Sequence, residues 1–171
     1  ARVRDAGANI TCHASEDIHD GVPENALCAV ETLGASRIGH GIQIFRDVEI
    51  MERIRDRGVL LEVSVTSNYL TNAVSSIESH PVRRLWKYGI PVSINTDDPG
   101  IMAIDLNSEY DVWCTDLSFD ENELNATNIM ALEHSFLCAE ERERIFRAYF
   151  SKNSCETLDS AARDARKIQL L

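Results

Sequence analysis

The sequence predicts half of a (β/α)8 barrel: four parallel strand–helix units, then helices alone. Three observations carry this. Short apolar runs alternate with helical patterns over residues 8–95. The runs are too apolar for strands that face water, which implies a parallel sheet covered by helices. Polar residues stand at or just beyond the C-terminal end of each run: His13, His40, residues 66–68 and residues 95–98. A doubly wound sheet fits the rhythm equally well, but a barrel assembles its site from the ends of several strands on one face. A barrel needs about eight strands and ~250 residues. Four strands in 171 residues therefore read as its second half, and the first half is expected on chain not included here.

The elements follow in order. Residues 8–12 read as a buried strand. A helix over 23–33 has Pro23 in its first turn and Ala26, Leu27, Val30 and Leu33 on one face, and Gly34 stops it. Residues 37–40 form the second strand. Asp47 caps a helix in which Val48, Met51 and Ile54 recur every three residues and Glu49 can pair with Arg53. Gly58 ends it. Residues 59–65 form the third strand, 66–79 a polar loop, 82–88 a helix after Pro81, and 91–95 the fourth strand after Gly89. Beyond Pro99 only helical patterns remain. Asp120 and Glu123 make a capping box for a helix to about residue 136. A further helix over 140–150 is expected to bury Ile145, Phe146, Tyr149 and Phe150, and 159–171 reads as helical or frayed.

Residues 1–171 are thus expected to be the C-terminal portion of one barrel domain. A formal charge of −11 argues against general binding to nucleic acid backbones or anionic membranes, which need basic surfaces. No apolar run approaches the ~18–20 residues of a membrane span. The N-terminal residues carry no signal-peptide apolar stretch, and the five cysteines show no C-x-x-C pair. Reduced, mostly buried thiols in a cytoplasmic protein are the expectation.

Three constellations carry chemistry. His13-Ala14-Ser15-Glu16 places an imidazole at a strand end with a carboxylate three residues on; alone, His13 is either a zinc ligand or a hydrogen-bonded structural residue. Arg37-Ile38-Gly39-His40-Gly41 flanks an imidazole with glycines, which bring it into a crowded site or simply make a turn. Asn95-Thr96-Asp97-Asp98-Pro99 sets two adjacent carboxylates after an apolar strand. Such carboxylates repel unless a cation, a proton or hydrogen bonds compensate, so metal ligation and a helix cap both remain open. Taken together, two histidines, a glutamate and an aspartate pair at successive strand ends could hold zinc and poise a water beside it.

In this order the motifs closely resemble the adenosine deaminases, whose second half carries H-A-G-E, G-H-G, a T-S-N-type segment and N-T-D-D-P. Here they stand as His13-Ala14-Ser15-Glu16, Gly39-His40-Gly41, Thr66-Ser67-Asn68 and Asn95-Thr96-Asp97-Asp98-Pro99. The resemblance runs from about Ile10 to Tyr110 and is expected to continue through the C-terminal helices. It implies that His13 and Asp97 ligate one zinc ion, and that Glu16 protonates purine nitrogen 1. His40 would orient and help to deprotonate a zinc-bound water that attacks carbon 6, and Asp98 would hydrogen-bond the purine at nitrogen 7. The implied reaction is hydrolytic deamination of adenosine or a related 6-aminopurine, nucleoside or base, to the 6-oxopurine and ammonia.

Two departures from the family pattern stand out. Ser15 occupies the place of the usual Gly, where a side chain would crowd the site or add a hydroxyl. The family's first two zinc ligands come from an H-x-H pair on the first barrel strand, and none occurs in this chain. The alternative reading is therefore a truncated or non-catalytic half-barrel that needs a partner half. His19, His80 and His134 are not expected to replace the missing ligands; Trp86 and Trp113 read as packing residues, and 116–123 as a solvated helix start.

Overall fold

The computed structural model describes residues 6–18 and 22–151. Within them, β1 (Thr11–Ala14), β2 (Arg37–His40), β3 (Leu60–Val63) and β4 (Val92–Ile94) form one parallel sheet in the order β1-β2-β3-β4. A doubly wound sheet reverses its strand order at a switch point. Here each crossover adds the next strand on the same side, as in a barrel. His13, Gly39, Glu62 and Ser93 align as one row across the four strands.

The crossovers are helical. After β1 come α1 (Val22–Cys28) and a π-helical turn, Ala29–Leu33, which together cover the predicted 23–33 segment. A 3-10 turn, Ile42–Arg46, and α2 (Val48–Asp56) follow β2, and Asp47 caps α2 by accepting from the Ile50 N–H at 3.1 Å. Arg53 of α2 donates to Glu31 at 2.5 Å instead of pairing with Glu49 one turn earlier. After β3 come α3 (Val65–Leu70) and α4 (Val82–Lys87).

The core lies between the sheet and these helices. Ile38, Leu61, Val63 and Val92 from the strands meet Ile42, Ile50, Met51, Ile54, Val82 and Leu85, all buried. Each such side chain contributes roughly 1.5–3 kcal/mol by leaving water. On the opposite face, which a closed barrel would enclose, Thr11 Oγ1 donates to Glu62 at 2.8 Å. Arg37 Nε lies 2.9 Å from the same carboxylate without the alignment of a hydrogen bond.

Beyond β4 the helices are α5 (Pro99–Met102), α6 (Leu106–Thr115), α7 (Glu121–Glu133) and α8 (Ala139–Tyr149). The capping box of Asp120 and Glu123 forms as expected. Trp113 is fully buried against Phe119, ring centroids 4.7 Å apart. The C-terminal helices dock at the start of the strands: His134 Nε2 lies 3.0 Å from the Gly58 carbonyl, and Arg37 stacks over Phe136 at 3.8 Å.

Several expectations are corrected. The first strand lies at 11–14, includes His13 and is half exposed, because β1 has a neighbour on one side only among the described residues. Residues 66–70, expected as loop, are helical, and so is Val65, expected to end the third strand. None of α8 is buried, and Tyr149 is 79% exposed. Glu123 is not merely solvated: it accepts from Arg83 at 2.6 Å and Trp86 Nε1 at 3.1 Å. The cysteines are free but not buried: Cys28, Cys114 and Cys138 are exposed and Cys12 half-buried. His19, Cys155 and the 159–171 segment lie outside the described residues.

Two open sheet edges have a measurable consequence. β1 and β4 present unpaired backbone groups among the described residues, and Tyr69, Leu70, Ile101 and Leu106, in the helices that follow β3 and β4, are exposed. Such edges template association. The 171-residue chain expressed alone is expected to self-associate, and sedimentation velocity should show species larger than the monomer. A monomeric chain with one cooperative melt would mean that the half-barrel is self-sufficient.

Candidate active site

The strand ends bring four of the expected side chains together. His13 lies in β1, Glu16 two residues beyond it, His40 at the last position of β2 and Asp97 three residues past β4. The His13 and His40 rings are 5.0 Å apart between centroids. His40 Nε2 lies 3.5 Å from Glu16 Oε2 and 3.8 Å from Asp97 Oδ2. One donor atom each from His13, His40 and Asp97 falls within 4.8 Å of the others, the spacing of a metal-binding group. Asp98, the next residue after Asp97 in the chain, is exposed, and its side chain does not cap α5.

The backbone is bent to make this possible. Ser15, His40 and Asp97 have φ of 56°, 60° and 60°, the left-handed region that side chains other than glycine seldom enter. Each costs roughly 1–3 kcal/mol, and such strain gathers at functional sites. Gly41 continues the turn after His40 with φ of 68°, where a Cβ would come within 2.6 Å of Leu61 Cδ2. Gly39 serves the neighbouring strand: a Cβ there would meet the His13 ring at 2.9–3.1 Å. Any side chain at 39 would displace that imidazole.

Ser15 does not crowd the site. It is buried, and its hydroxyl turns back into α1, donating to the Val22 carbonyl and accepting from the Ala26 N–H at 2.9 Å. The φ of 56° explains why glycine suits this position, and the two hydrogen bonds show how serine is accommodated.

A second layer holds these groups. Ser67 and Asn68, both fully buried on α3, reach toward the strand ends. Ser67 Oγ donates to Asp97 Oδ2 at 2.7 Å, and Asn68 Nδ2 lies 2.9 Å from His40 Nδ1. Asn68 Oδ1 lies 3.1 Å from Nε2 of His80, whose Nδ1 accepts from the Val82 N–H at 3.1 Å. Burial holds the His40 pKa below its ordinary value, although Glu16 and Asp97 pull it upward. Burial, and the positive charge that His40 would carry if protonated, push His80 down to about 3.

Glu109 completes the layer. It is fully buried on α6, its Oε1 accepts from the Thr66 N–H at 3.3 Å, and its Oε2 has no partner among the described residues. Burial raises its pKa above the ordinary carboxylate value. Sequence reasoning gave neither Glu109 nor His80 a role in the site. The one local signal was His80-Pro81 ahead of a helix.

With this geometry in view, the comparisons with known proteins are specific. A family profile described as adenosine deaminase matches residues 1–149. The chain is 37% identical over 148 residues to an adenosine deaminase of Plasmodium gallinaceum, covering 86% of this chain and 41% of that protein. It is also 37% identical over 144 residues to an adenosine deaminase of Escherichia coli (strain SE11), covering 84% and 42%. An adenine deaminase structure from Arthrobacter aurescens superposes with a TM-score of 0.79 at 25% identity, over 85% of this chain and 44% of that one. The chain thus spans 41–42% of these two curated relatives.

Proposed function

Because this chain belongs to the adenosine deaminase family, we propose that a complete protein containing it hydrolyses the 6-amino group of adenosine or a related 6-aminopurine. The observation that carries this reading is the convergence of His13, Glu16, His40 and Asp97 from three strand ends. Imidazole nitrogen and carboxylate oxygen are the donors zinc prefers, and their closeness here fits one ion. His13 and Asp97 would hold that zinc, which when bound supplies Lewis-acid activation of a water molecule near neutral pH.

The chain's other residues would handle the purine and its protons. Glu16 would donate a proton to nitrogen 1, which makes carbon 6 electrophilic. His40 would orient the water that adds there, and Asp98 would fix the ring through nitrogen 7. One proton of the added water passes to the amino nitrogen as its bond to carbon 6 breaks, so that ammonia leaves, and the other restores the proton that Glu16 gave to nitrogen 1. A purine nucleoside or base is the partner this site suits. The four described cysteines are free, which fits a reducing, cytoplasmic setting.

For the 171 residues by themselves, the lack of an H-x-H pair favours a chain that works only with a partner half. The test is direct. A complete protein containing this sequence should release ammonia and a 6-oxopurine from adenosine, deoxyadenosine or adenine, with turnover in the roughly 1–10³ s⁻¹ range of ordinary enzymes. The isolated chain should release none. Absence of ammonia from every 6-aminopurine offered would overturn the reading.

A further inference from the structure

His80 is tied to the site by a chain of three hydrogen bonds whose direction can be worked out from one end. That end is a backbone amide: the Val82 N–H donates to His80 Nδ1 at 3.1 Å. A backbone N–H only donates, so His80 Nδ1 holds a lone pair and the ring proton sits on Nε2. Burial, which pushes the His80 pKa to about 3, leaves the ring with that single proton. Nε2–H then donates to Asn68 Oδ1 at 3.1 Å. This orients the Asn68 amide with Nδ2 toward His40, and Nδ2 donates to His40 Nδ1 at 2.9 Å. His80, Asn68 and His40 are 4%, 0% and 2% exposed, so water does not compete for these bonds.

We propose that His80, acting through Asn68, is a positioning residue that fixes the neutral His40 ring with its proton on Nε2. His40 then faces the reaction as a hydrogen-bond donor, neither a metal ligand nor a base. Only the expected effect on turnover rests on the deaminase reading; the hydrogen-bond chain itself does not.

The surroundings agree. Nε2 points at two acceptors, Glu16 Oε2 at 3.5 Å and Asp97 Oδ2 at 3.8 Å. A histidine binds a metal or takes a proton through a lone pair, and the bond at one ring nitrogen decides the state of the other. In His40 the Nδ1 lone pair is already engaged and Nε2 carries hydrogen. Of the three donors that cluster, His13 and Asp97 are therefore the pair left for a metal. The opposite tautomer would require the Asn68 amide to flip and the His80 proton to move to Nδ1. There it would confront the Val82 N–H in a buried space. The proton-accepting role that the sequence resemblance implies for His40 is replaced by a donating one.

The tautomer can be read without any assay of activity. Histidine-selective 15N labelling of a complete protein containing this sequence, free of metal, gives long-range 1H–15N correlations for each ring, with His40→Gln identifying the His40 signals. The expected result is His40 protonated on Nε2 and bare on Nδ1. A ring protonated on Nδ1, or averaged between the two forms, overturns the proposal whatever any variant does.

Variants then assign the effect to His80. His80→Leu removes the donor, so His40 should populate both tautomers. kcat should fall by the roughly 10- to 100-fold typical of losing an outer partner of a site histidine, with KM moving less than about twofold. His80→Gln keeps a side-chain N–H toward Asn68 and should restore the tautomer and most of the rate. Asn68→Asp accepts from both rings and should invert His40. A fall in kcat in His80→Leu with the tautomer unchanged would make His80 merely structural and overturn the relay. A protein that deaminates no purine yet holds His40 as Nε2–H would remove the proposed function alone. A working deaminase with the other tautomer would remove this inference alone.

Discussion

His13→Ala, in a complete protein containing this sequence, is expected to lose its metal and its deaminase activity together. His13 is the one imidazole in the cluster whose nitrogens the relay leaves free. His40 Nδ1 is engaged by Asn68, and His80 is bonded at both ring nitrogens. The side chain also stands in a made place, since Gly39 opposite it leaves the room that a Cβ would fill at 2.9 Å. An alanine at 13 leaves Asp97 as the chain's remaining ligand in the proposed pair. The loss should exceed the roughly 10- to 100-fold that removing an outer-shell partner costs. Elemental analysis after dialysis should show zinc falling from one ion per site toward none, with turnover falling in step. His40→Gln serves as the contrast and should keep its zinc. Full zinc occupancy in His13→Ala would mean that the metal, if any, is held elsewhere.

Much of the fold was legible because it is local. The strand at 37–40 matches the reading residue for residue, and Asp47 and Asp120 cap the helices they precede through partners three residues away, Glu123 closing the box from inside the helix. The errors lie where distant contacts decide. Val65–Leu70, with its β-branched and polar residues, has little helical preference of its own. It is helical where Glu109 accepts from Thr66 across 43 positions and Asn68 bonds histidines 12 and 28 positions away. The apolar run at 8–12 predicts a buried strand, but β1, at the sheet edge among the described residues, buries only what its one neighbour there covers.

The site divides in the same way. His13, Glu16, His40, Asp97 and Asp98 stand in short motifs at strand ends, each ambiguous alone and pointing to a site only in combination. Ser67 stands in the Thr66-Ser67-Asn68 motif, but its partner Asp97 is 30 residues away, and His80 and Glu109 act through partners 12 and 43 residues away that no spacing announces. Ser15 shows the opposite case. Its departure from glycine was visible in the sequence, but its hydroxyl faces α1 rather than the site, through partners 7 and 11 residues away that the motif does not show.

Glu16→Gln is expected to stop chemistry while leaving metal in place. Glu16 sits just past β1, its side chain 31% exposed, with Oε2 3.5 Å from His40 Nε2. Its other oxygen accepts from Thr71 Oγ1 at 3.4 Å. Glutamine has nearly the same shape and retains one carbonyl oxygen to accept from Thr71, so a purely structural role would survive the change. What it lacks is an acidic proton to give to purine nitrogen 1. Turnover should therefore fall by at least the ~10²- to 10⁴-fold typical of losing a general acid. Zinc content should be unchanged, because neither His13 nor Asp97 is altered. An unprotonated nitrogen 1 leaves carbon 6 a poor electrophile, so the loss should appear in kcat, with KM little affected. The measurement is steady-state ammonia release with elemental analysis of the same sample. Near-normal deamination in Glu16→Gln would make Glu16 a structural residue and require another acid. A parallel loss of zinc would instead move Glu16 into the ligand set.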